Sequence, residues 1–454
     1  MPKFAKVSIL TNSRLAENSV VLGTELSAYF TEGQKIRLAL GKSYLSAIVR
    51  AAKKPGQRST LTLNPATARK IYLRDGQNYG FQIIADGLRM GPVVGIMGQL
   101  MSQPGKPFGG QTLFFKQLLI AAREMGTLAF IFSPNAINWK KHTIAGHSYG
   151  DSGWKRGSFP WPDVIYPRDR AYSVGKLATR RRLQELGIKF LNPPLVGKWE
   201  TFKILSHNPA LVPHIPDTRL VKSFRQVDGM INKYQAVYLK PVAGTKGRNI
   251  IKVVKNRKSS TYRYQYHLNN QTIKGTATSL EQLRQNLQPI MGGRAYIIQK
   301  QINLIKTEGN IIDVRILVQK DHTGQWGVTG IACRVGKSGA ITSNISSGGS
   351  GRKLDSVLRR TFQDQKQILK IEKTLDSVAI MAADTLEKSI GSCGEMGIDL
   401  GIDRDGRVWF IESNLRPARQ VFNLIGEADT RMRSVRMPLL YSRYLAGFRE
   451  GDGI

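Results

Sequence analysis

Short apolar runs separated by polar turns dominate the first 80 or so residues. Apolar residues alternate with polar ones, which is the spacing of strands with one buried face. The strands predicted on this basis are residues 7–10, 20–22, 36–40, 44–49 and 61–63. Residues 53–58 are typical of a polar turn. We therefore predict a small β-rich module over residues 1–85.

The pattern changes at Gly91, where strand-like and helix-like runs begin to alternate. The predicted strands are residues 92–97, 128–132 and 163–166, and the predicted helices are residues 113–125 and 177–186. Gly187 follows the second helix in the position of a C-cap. Strand, helix and strand in succession predict an open α/β sheet, which we assign to residues 86–197.

After Pro193-Pro194 the chain alternates helices with antiparallel hairpins. The predicted helices are residues 198–205, 280–287 and 368–390, and the predicted strands are residues 236–241, 249–254, 295–301, 311–319, 326–334, 396–400 and 408–412. This mixture predicts an α/β (α+β) domain over residues 198–454.

The charge balance of the 454-residue chain is strongly basic. Its 68 lysines and arginines exceed its 32 aspartates and glutamates, which gives a formal net charge of +36. The excess is spread along the whole chain, without a basic arm. A uniform excess favours adhesion to polyanions in general and is only weak support for a dedicated nucleic-acid site, so we expect no specific nucleic-acid partner. A general polyanion binder stays open as one class of function.

Other compositional features exclude several classes. The two cysteines, Cys333 and Cys393, are too few for a disulfide framework or a Cys/His zinc site. No run of about 18 apolar residues occurs, so we expect no membrane-spanning helix. The N-terminal residues lack the apolar core of a signal peptide. We expect a cytoplasmic protein.

Acidic and amide side chains mark the last predicted hairpin. A turn near Asp405-Gly406 would bring Asp399 opposite Glu412, and Glu412 and Asn414 share a strand face because they are two residues apart. Three hard oxygen ligands at one spot suit Mg²⁺. The alternative is a surface hairpin whose acidic residues face water.

A lysine ends the strand before a glycine-rich loop. Lys240 is followed by Gly244, Thr245, Lys246 and Gly247, so backbone N–H groups and a point charge could together hold phosphates. The loop lacks the spacing of a Walker A motif. The alternative is an ordinary hairpin turn.

Two arginines fall on neighbouring predicted strands. A turn near His322 places Arg315 and Arg334 on one sheet face, where guanidinium groups match phosphate bidentately. The alternative is a structural ion pair between Asp313 and Arg315. Asn344 lies in the hydroxyl- and glycine-rich loop that follows, which could hold a substrate oxygen or be an ordinary loop.

The order of these elements resembles that of the ATP-grasp superfamily over about residues 198–445. Residues 91–197 look like the α/β domain that commonly precedes it. More narrowly, the chain resembles the YheC/YheD branch, described as endospore coat-associated proteins of spore-forming bacilli. The segments that carry the closer match are residues 89–96 (RMGPVVGI), 197–200 (GKWE) and 397–399 (GID).

The resemblance implies roles for individual residues. The nucleotide would be held by phosphate contacts from Lys198, Lys240 and the loop Gly244, Thr245, Lys246 and Gly247, by an adenine-reading hinge at Gln299, Lys300, Gln301 and Ile302, and by a ribose contact from Glu308. Arg315 and Arg334 would contact the γ-phosphate or the acyl phosphate, and Asn344 would lie at the substrate end of the site. The implied magnesium ligands are Asp399, Glu412 and Asn414. Lys300 departs from the acidic residue frequent at this hinge position in glutamate-adding ligases.

The function implied by the resemblance is an ATP- and Mg²⁺-dependent carboxylate–amine ligase that acts through an acyl phosphate. The implied partners are a carboxylate and an amine substrate, such as a peptide or an acidic polymer, and spore-coat proteins. A coat structural or assembly protein with vestigial or regulatory ATP binding is the alternative.

Overall fold

The computed structural model describes residues 5–51, 59–101, 103–169, 174–244, 248–256, 259, 261–268, 271–339, 341, 343 and 348–449. The chain forms two compact units. The first comprises residues 1–192, 320–325 and 435–454, and the second comprises residues 193–319 and 326–434. In the described part of the chain, no helix has the length and apolar character needed to cross a membrane.

A closed β-barrel begins the first unit, with strand order β1-β5-β2-β4-β3-β7-β6. Its elements are β1 (Lys6–Thr11), β2 (Ser19–Leu22), α1 (Thr24–Ser27), β3 (Lys35–Leu40), β4 (Ser43–Arg50), β5 (Thr60–Leu63), α2 (Pro65–Lys70), β6 (Asn78–Ile84) and β7 (Gly87–Gly91). Alternate residues of the strands point inward; in β3, for example, Ile36, Leu38 and Leu40 are buried. The barrel continues past residue 85 to Gly91.

An α/β sheet completes the first unit, with strand order β10-β11-β9-β8-β13-β14 and β12 paired to β11. Its elements are β8 (Val93–Met97), α3 (Thr112–Glu124), β9 (Leu128–Phe132), β10 (Ile137–Asn138), β11 (Thr143–Gly150), β12 (Gly153–Pro160), β13 (Val164–Pro167), α4 (Val174–Glu185) and β14 (Lys189–Phe190). Strands β8, β9, β13 and β14 are parallel, and Val435 and Leu439 from the C-terminal part of the chain lie in the same core as α3.

The second unit contains two antiparallel sheets. The first, called here sheet C, has the order β15-β20-β16-β17-β18-β19. Its elements and the helices before and among them are α5 (Lys198–Ser206), β15 (Thr218–Leu220), α6 (Phe224–Tyr234), β16 (Ala236–Pro241), β17 (Ile251–Lys255), β18 (Tyr262–Leu268), β19 (Gln271–Ala277), α7 (Leu280–Met291) and β20 (Tyr296–Lys300). Helices α6 and α7 share a core with one face of this sheet.

The other sheet, called here sheet F, has the order β24-β23-β22-β25-β26, with β21 paired to β22. The elements are β21 (Lys306–Thr307), β22 (Asn310–Lys320), β23 (Trp326–Val335), β24 (Ser350–Arg352), α8 (Leu354–Thr361), α9 (Gln365–Ile390), β25 (Glu395–Ile402), β26 (Val408–Asn414), α10 (Gln420–Leu424) and α11 (Ala428–Ala446). Helices α8 and α9 pack on one face of the sheet, and α10 packs on the other.

The strands and helices predicted from periodicity are confirmed, with ends that differ by a few residues. The predicted polar turn at residues 53–58 lies outside the described residues. The hairpins β6–β7, β11–β12 and β18–β19 were not predicted. Their strands contain many polar residues and glycines, so the alternation that marks a half-buried strand is weak there.

Candidate active site

Three charged side chains from distant parts of the sequence meet in the second unit. Lys198 is the first residue of α5, and its backbone N–H donates to the carbonyl of Val242 (3.0 Å). Its ammonium group donates to the carbonyl of Gly244 (2.9 Å) and lies 3.9 Å from Oε1 of Glu412. The charges of Lys198 and Glu412 both act on Lys240, so the three groups share one electrostatic environment.

Lys240 projects from β16 on the face of sheet C opposite to Val237 and Leu239, which are in the core. Its ammonium group donates to Oε1 of Gln299 (2.6 Å), and Nε2 of Gln299 donates to Oγ1 of Thr218 (2.8 Å). Gln299 is thereby oriented from both sides, and it fixes the direction of the lysine. In this structure the side chain of Gln299 is the hydrogen-bond acceptor for the ammonium group of Lys240.

Burial lowers the pKa of Lys240 to about 8. The carboxylate of Glu412 raises this pKa and the ammonium group of Lys198 lowers it, and burial is the largest of the three effects. An ammonium group in these surroundings gains from a further negative charge nearby. A phosphate bound beside Lys240 would therefore favour the protonated lysine.

Two arginines and two aspartates form a buried cluster on one face of sheet F. Arg315 donates through Nε and Nη2 to the carboxylate of Asp399 (2.5 and 3.0 Å). Arg334 donates through Nε and Nη2 to Asp313 (2.7 and 2.5 Å) and through Nη2 to Asp399 (2.7 Å). The exposed fractions of the four residues are between 5% and 7%. Charges so deeply buried require partners, and each has one here.

The ion pair between Asp313 and Arg315 considered above is wrong. Asp313 pairs with Arg334 on the neighbouring strand β23, and Arg315 pairs with Asp399 on β25. The reason is register: Arg315 lies directly opposite Asp399 in the β22–β25 ladder. The prediction that Arg315 and Arg334 lie together on one sheet face is confirmed by their shared contact with Asp399.

The carboxyl group of Asp399 is held ionised. Burial raises its pKa, but the guanidinium groups of Arg315 and Arg334 lower it by more, so that the pKa lies below its usual range. Asp399 is therefore a permanent carboxylate at neutral pH.

The predicted register of the last hairpin is confirmed. Asp399 pairs with Glu412 and Gly397 pairs with Asn414 across β25 and β26. The register shifts after Asp399, so Ile411 is an extra residue in β26. Glu412 keeps 34% of its side chain exposed, in contrast to the buried Asp399. Oδ1 of Asn414 accepts a hydrogen bond from the backbone N–H of Arg416 (3.0 Å).

The predicted hinge, residues 299–302, covers the end of strand β20 and the two residues after it. The backbone N–H of Lys300 donates to the carbonyl of Asp217 (2.9 Å), and that of Gln301 donates to the carbonyl of Ala236 (3.1 Å). Ile302 is partly buried just beyond them. The side chain of Lys300 lies beside aromatic rings, with Nζ 5.3 Å from the ring centre of Tyr234.

Of the remaining predicted site residues, one is exposed in a turn and several lie outside the described residues. Glu308 is exposed in the turn between β21 and β22, where its φ of 52° and the φ of 77° of Gly309 make a tight hairpin turn. Gly244 is described, and its carbonyl bonds to Lys198. The residues outside the described part of the chain are Thr245, Lys246, Gly247 and Asn344.

Sequence reasoning missed Tyr238 and the pair Glu395–Arg419. Tyr238 shares the sheet face of Lys240, its hydroxyl donates to the carbonyl of Ile341 (3.3 Å), and burial raises its pKa to about 12. Its position two residues before Lys240 in a strand was a usable signal. Glu395 and Arg419 form a fully buried ion pair below the segment that follows Asn414, and nothing local in the sequence marks it.

Comparison with known proteins identifies the family of the chain. A model of the family described as YheC/D like ATP-grasp matches residues 187–445, which include Lys198, Lys240 and the last hairpin. The chain belongs to the YheC/D like ATP-grasp family. The resemblance stated from the sequence is thereby confirmed, together with the α/β ATP-grasp fold.

Two curated relatives belong to this family. The chain is 30% identical over 370 residues to endospore coat-associated protein YheD of Bacillus subtilis (strain 168), a match that covers 79% of this chain and 80% of the relative. It is 26% identical over 350 residues to endospore coat-associated protein YheC of the same strain, covering 74% and 93%. Among solved structures, the ATP-grasp ligase PsnB, complexed with a phosphomimetic variant of its minimal precursor, Mg and ADP, is similar with a TM-score of 0.45 and 15% identity over 78% of this chain and 99% of that one.

The residues present in this ATP-grasp chain fit a magnesium nucleotide. Asp399, Glu412 and Asn414 carry hard oxygen atoms of the kind that Mg²⁺ takes, on paired strands. Both oxygens of Asp399 accept guanidinium hydrogen bonds in this structure, so a metal ion there would share them with the arginines. Among the described residues, no group of three or more His, Cys, Asp or Glu side chains is placed to hold a metal ion by itself. A magnesium ion at this place would need waters and phosphate oxygens to complete its ligands. Within the residues that the structure describes, the buried Oε1 of Gln301 accepts no hydrogen bond. An adenine amino group could donate one to it.

Proposed function

We propose that the protein is an ATP- and Mg²⁺-dependent carboxylate–amine ligase that works through an acyl phosphate. The observation that carries the proposal is the meeting of Lys198, Lys240 and Glu412 at one place, with the pKa of Lys240 lowered to about 8. A lysine buried without a carboxylate in hydrogen-bond contact is costly for the fold. An anion that binds there removes the cost, and a nucleoside triphosphate has the charge to do so.

The two lysines hold and orient phosphate oxygens in this proposal. One oxygen of the substrate carboxylate attacks the γ-phosphorus, the new O–P bond forms, and the bond from that phosphorus to the bridging oxygen breaks, which releases ADP. A neutral amine then attacks the acyl carbon, the bond from that carbon to the phosphate oxygen breaks, and the proton lost by nitrogen leaves with inorganic phosphate, so that an amide results. Lys198 and Lys240 spread the negative charge that develops on the phosphoryl group. No protein nucleophile is needed.

Asp399, Glu412 and Asn414 would hold the magnesium ion, and a bound Mg²⁺ supplies charge neutralisation between the phosphates. Arg315 and Arg334 keep Asp399 ionised and aimed. In the proposal these arginines have two effects: they hold the carboxylate of Asp399 toward the metal ion, and their own positive charge attracts the phosphoryl group.

The substrates are proposed from charge and relatives. A net charge of +36 attracts acidic acceptors such as a carboxylate-rich peptide or polymer. The relatives YheD and YheC are described as endospore coat-associated, so we propose that the amide is formed during coat assembly. Asn344 is proposed to lie at the substrate end of the site, and Glu308 to contact the ribose.

A second candidate function rests on the charge cluster of sheet F. Both oxygens of Asp399 already accept hydrogen bonds from guanidinium groups, so the cluster is neutral without a ligand. This self-sufficiency favours a coat assembly protein in which ATP is a structural or regulatory ligand that is not consumed.

Calorimetric titration of Mg·ATP at moderate salt tests the proposal. We expect saturable, magnesium-dependent binding by the wild type and a loss of affinity of about 10-fold or more in Glu412→Gln and in Lys240→Met, because each removes a charged contact. Asp355→Asn is the matched control, since Asp355 is an exposed α8 carboxylate whose partner among the described residues is Arg359 of the same helix. Absence of binding in the wild type would contradict both candidate functions.

A screen for ADP release with carboxylate and amine pairs then separates the two candidates. ADP release that requires both substrates supports the ligase. Binding of Mg·ATP without ADP release by any pair supports the assembly protein.

A further inference from the structure

The side chain of Lys300 connects the two sheets of the second unit. Its Nζ lies 5.3 Å from the ring centre of Tyr234, at the end of α6, and 5.6 Å from the ring centre of Trp409, in β26. Both distances are within the range of cation–π attraction. Tyr234 belongs to the core beside sheet C, and Trp409 belongs to sheet F. One ammonium group therefore contacts both sides of the hinge.

The ring on the side of sheet C is fixed to the hinge backbone. The hydroxyl of Tyr234 donates to the carboxylate of Asp217 (2.6 Å), and the backbone carbonyl of Asp217 accepts the N–H of Lys300 (2.9 Å). Burial raises the pKa of Asp217, but hydrogen bonds from Tyr234 and Lys233 lower it by more, so this acceptor stays ionised. The backbone and side chain of Lys300 are thus held by the same pair of residues.

The ring on the side of sheet F is fixed to the other end of the hinge. Nε1 of Trp409 donates to Oδ2 of Asp403 (2.7 Å). Asp403 forms an isolated antiparallel bridge with Leu304, and the N–H of Ile305 donates to the carbonyl of Ile402 (2.9 Å). The segment from Lys300 to Ile305 is therefore hydrogen-bonded to sheet C at its start and to sheet F at its end. The side chain of Lys300 adds a contact to a ring on each side, Tyr234 and Trp409.

We propose that Lys300 is a positioning residue that fixes the angle between the two sheets at the hinge, through its simultaneous contact with Tyr234 and Trp409. Its effect on nucleotide affinity rests on the proposed function and on the adenine-reading hinge that the resemblance implies at residues 299–302. The proposal also explains why a lysine at this position is compatible with nucleotide binding: its charge points to aromatic rings and is used within the protein.

Hydrogen–deuterium exchange of the full chain without nucleotide tests the structural part. We expect the amide of Gln301, which bonds to Ala236, to exchange about 5- to 20-fold faster in Lys300→Met, the ratio that loss of a partly desolvated cation–π contact produces. Lys300→Arg keeps the cation and should retain wild-type protection. Lys116→Met is the matched control, because Lys116 also lies over a tyrosine ring (Tyr149, 4.8 Å) but belongs to the first unit. Unchanged exchange in Lys300→Met would overturn the proposal.

Titration of Mg·ATP into the same variants tests the functional part. We expect the Kd to rise about 5- to 20-fold in Lys300→Met and by a similar factor in Tyr234→Leu, with Lys300→Arg close to the wild type. A loss in Lys300→Met together with wild-type affinity in Tyr234→Leu would mean that Lys300 contacts the nucleotide directly, which overturns the positioning role. If the wild type bound no nucleotide, the proposed function would fail, and the exchange experiment would still decide whether Lys300 fixes the hinge.

Discussion

A lysine placed where its charge is costly is the most informative single residue of the chain. Lys240 keeps a glutamine, Gln299, as its nearest hydrogen-bond partner, although Glu412 is near enough to act on it by charge. Because burial lowers the pKa in the folded state below that of an exposed lysine, the folded protein loses this proton first as pH rises. The destabilising contribution of Lys240 is therefore at its full size below pH 8. It shrinks as pH rises, so the free energy of unfolding increases between about pH 8 and 10.5.

The lowered pKa predicts proton uptake on nucleotide binding. At pH 8 about half of the Lys240 side chains are neutral, and a bound phosphate raises the pKa, so binding takes up a fraction of a proton. Titration of Mg·ATP in buffers of different ionisation enthalpy measures this uptake. Lys240→Met should abolish it at pH 8, and the wild type should take up almost none at pH 6.5. Equal uptake in the variant and the wild type would assign the proton to another group.

Strand β23 and helix α10 are in close contact at Gly330, where there is no space for a larger side chain. A Cβ on Gly330 would come within 2.8 Å of the Phe422 ring and within 2.4 Å of a Thr430 methyl carbon. Phe422 is fully buried, so it has no room to withdraw. The helix that follows the predicted magnesium ligands is thus seated on sheet F by the absence of a side chain.

We predict that Gly330→Ala lowers the free energy of unfolding by about 1–3 kcal/mol, because it overpacks the contact between β23 and α10. Gly327 lies on the same strand with open space around the place of a Cβ, so Gly327→Ala should change stability little. Chemical denaturation of both variants measures the difference. Equal stability of the two variants would show that α10 can shift away from the sheet.

At the scale of the whole molecule, the basic excess is spread along the sequence, while three buried arginines are paired with carboxylates. Along the sequence the basic excess is nearly uniform, whereas the buried clusters pair Arg315, Arg334 and Arg419 with carboxylates. The excess of +36 is therefore carried mainly by side chains in contact with solvent, where salt screens it. Adhesion to polyanions and binding at the candidate site should depend on salt differently.

We predict that DNA binding is independent of sequence and falls at least about 100-fold between 50 and 200 mM salt, because it rests on counterion release. Fluorescence anisotropy with two unrelated duplexes measures both properties. Mg·ATP affinity should fall much less over the same range, since Lys198 and Lys240 are largely shielded from solvent ions. A duplex retained at high salt in preference to the other would instead reveal a specific nucleic-acid site.

Local pattern was sufficient wherever a feature depends on neighbours along the chain. Alternation predicted the strands, a tight turn at Asp405-Gly406 predicted that Asp399 faces Glu412, and the resemblance implied the paired lysines and the hinge. The family and the ATP-grasp fold were predictable for the same reason: the order of short motifs is a property of the sequence.

Tertiary structure alone decided which charges pair. Asp313 is two residues from Arg315 but bonds to Arg334, and Arg315 bonds to Asp399, 84 residues away. Lys300 lies between two rings that come from different sheets, and Val435 joins the core of the first unit. Arg315 meets Asp399 because β22 pairs with β25, a strand that is distant in the sequence, and the other contacts depend on how strands and helices pack together. Register is set by the fit of whole faces, so no local pattern contains it.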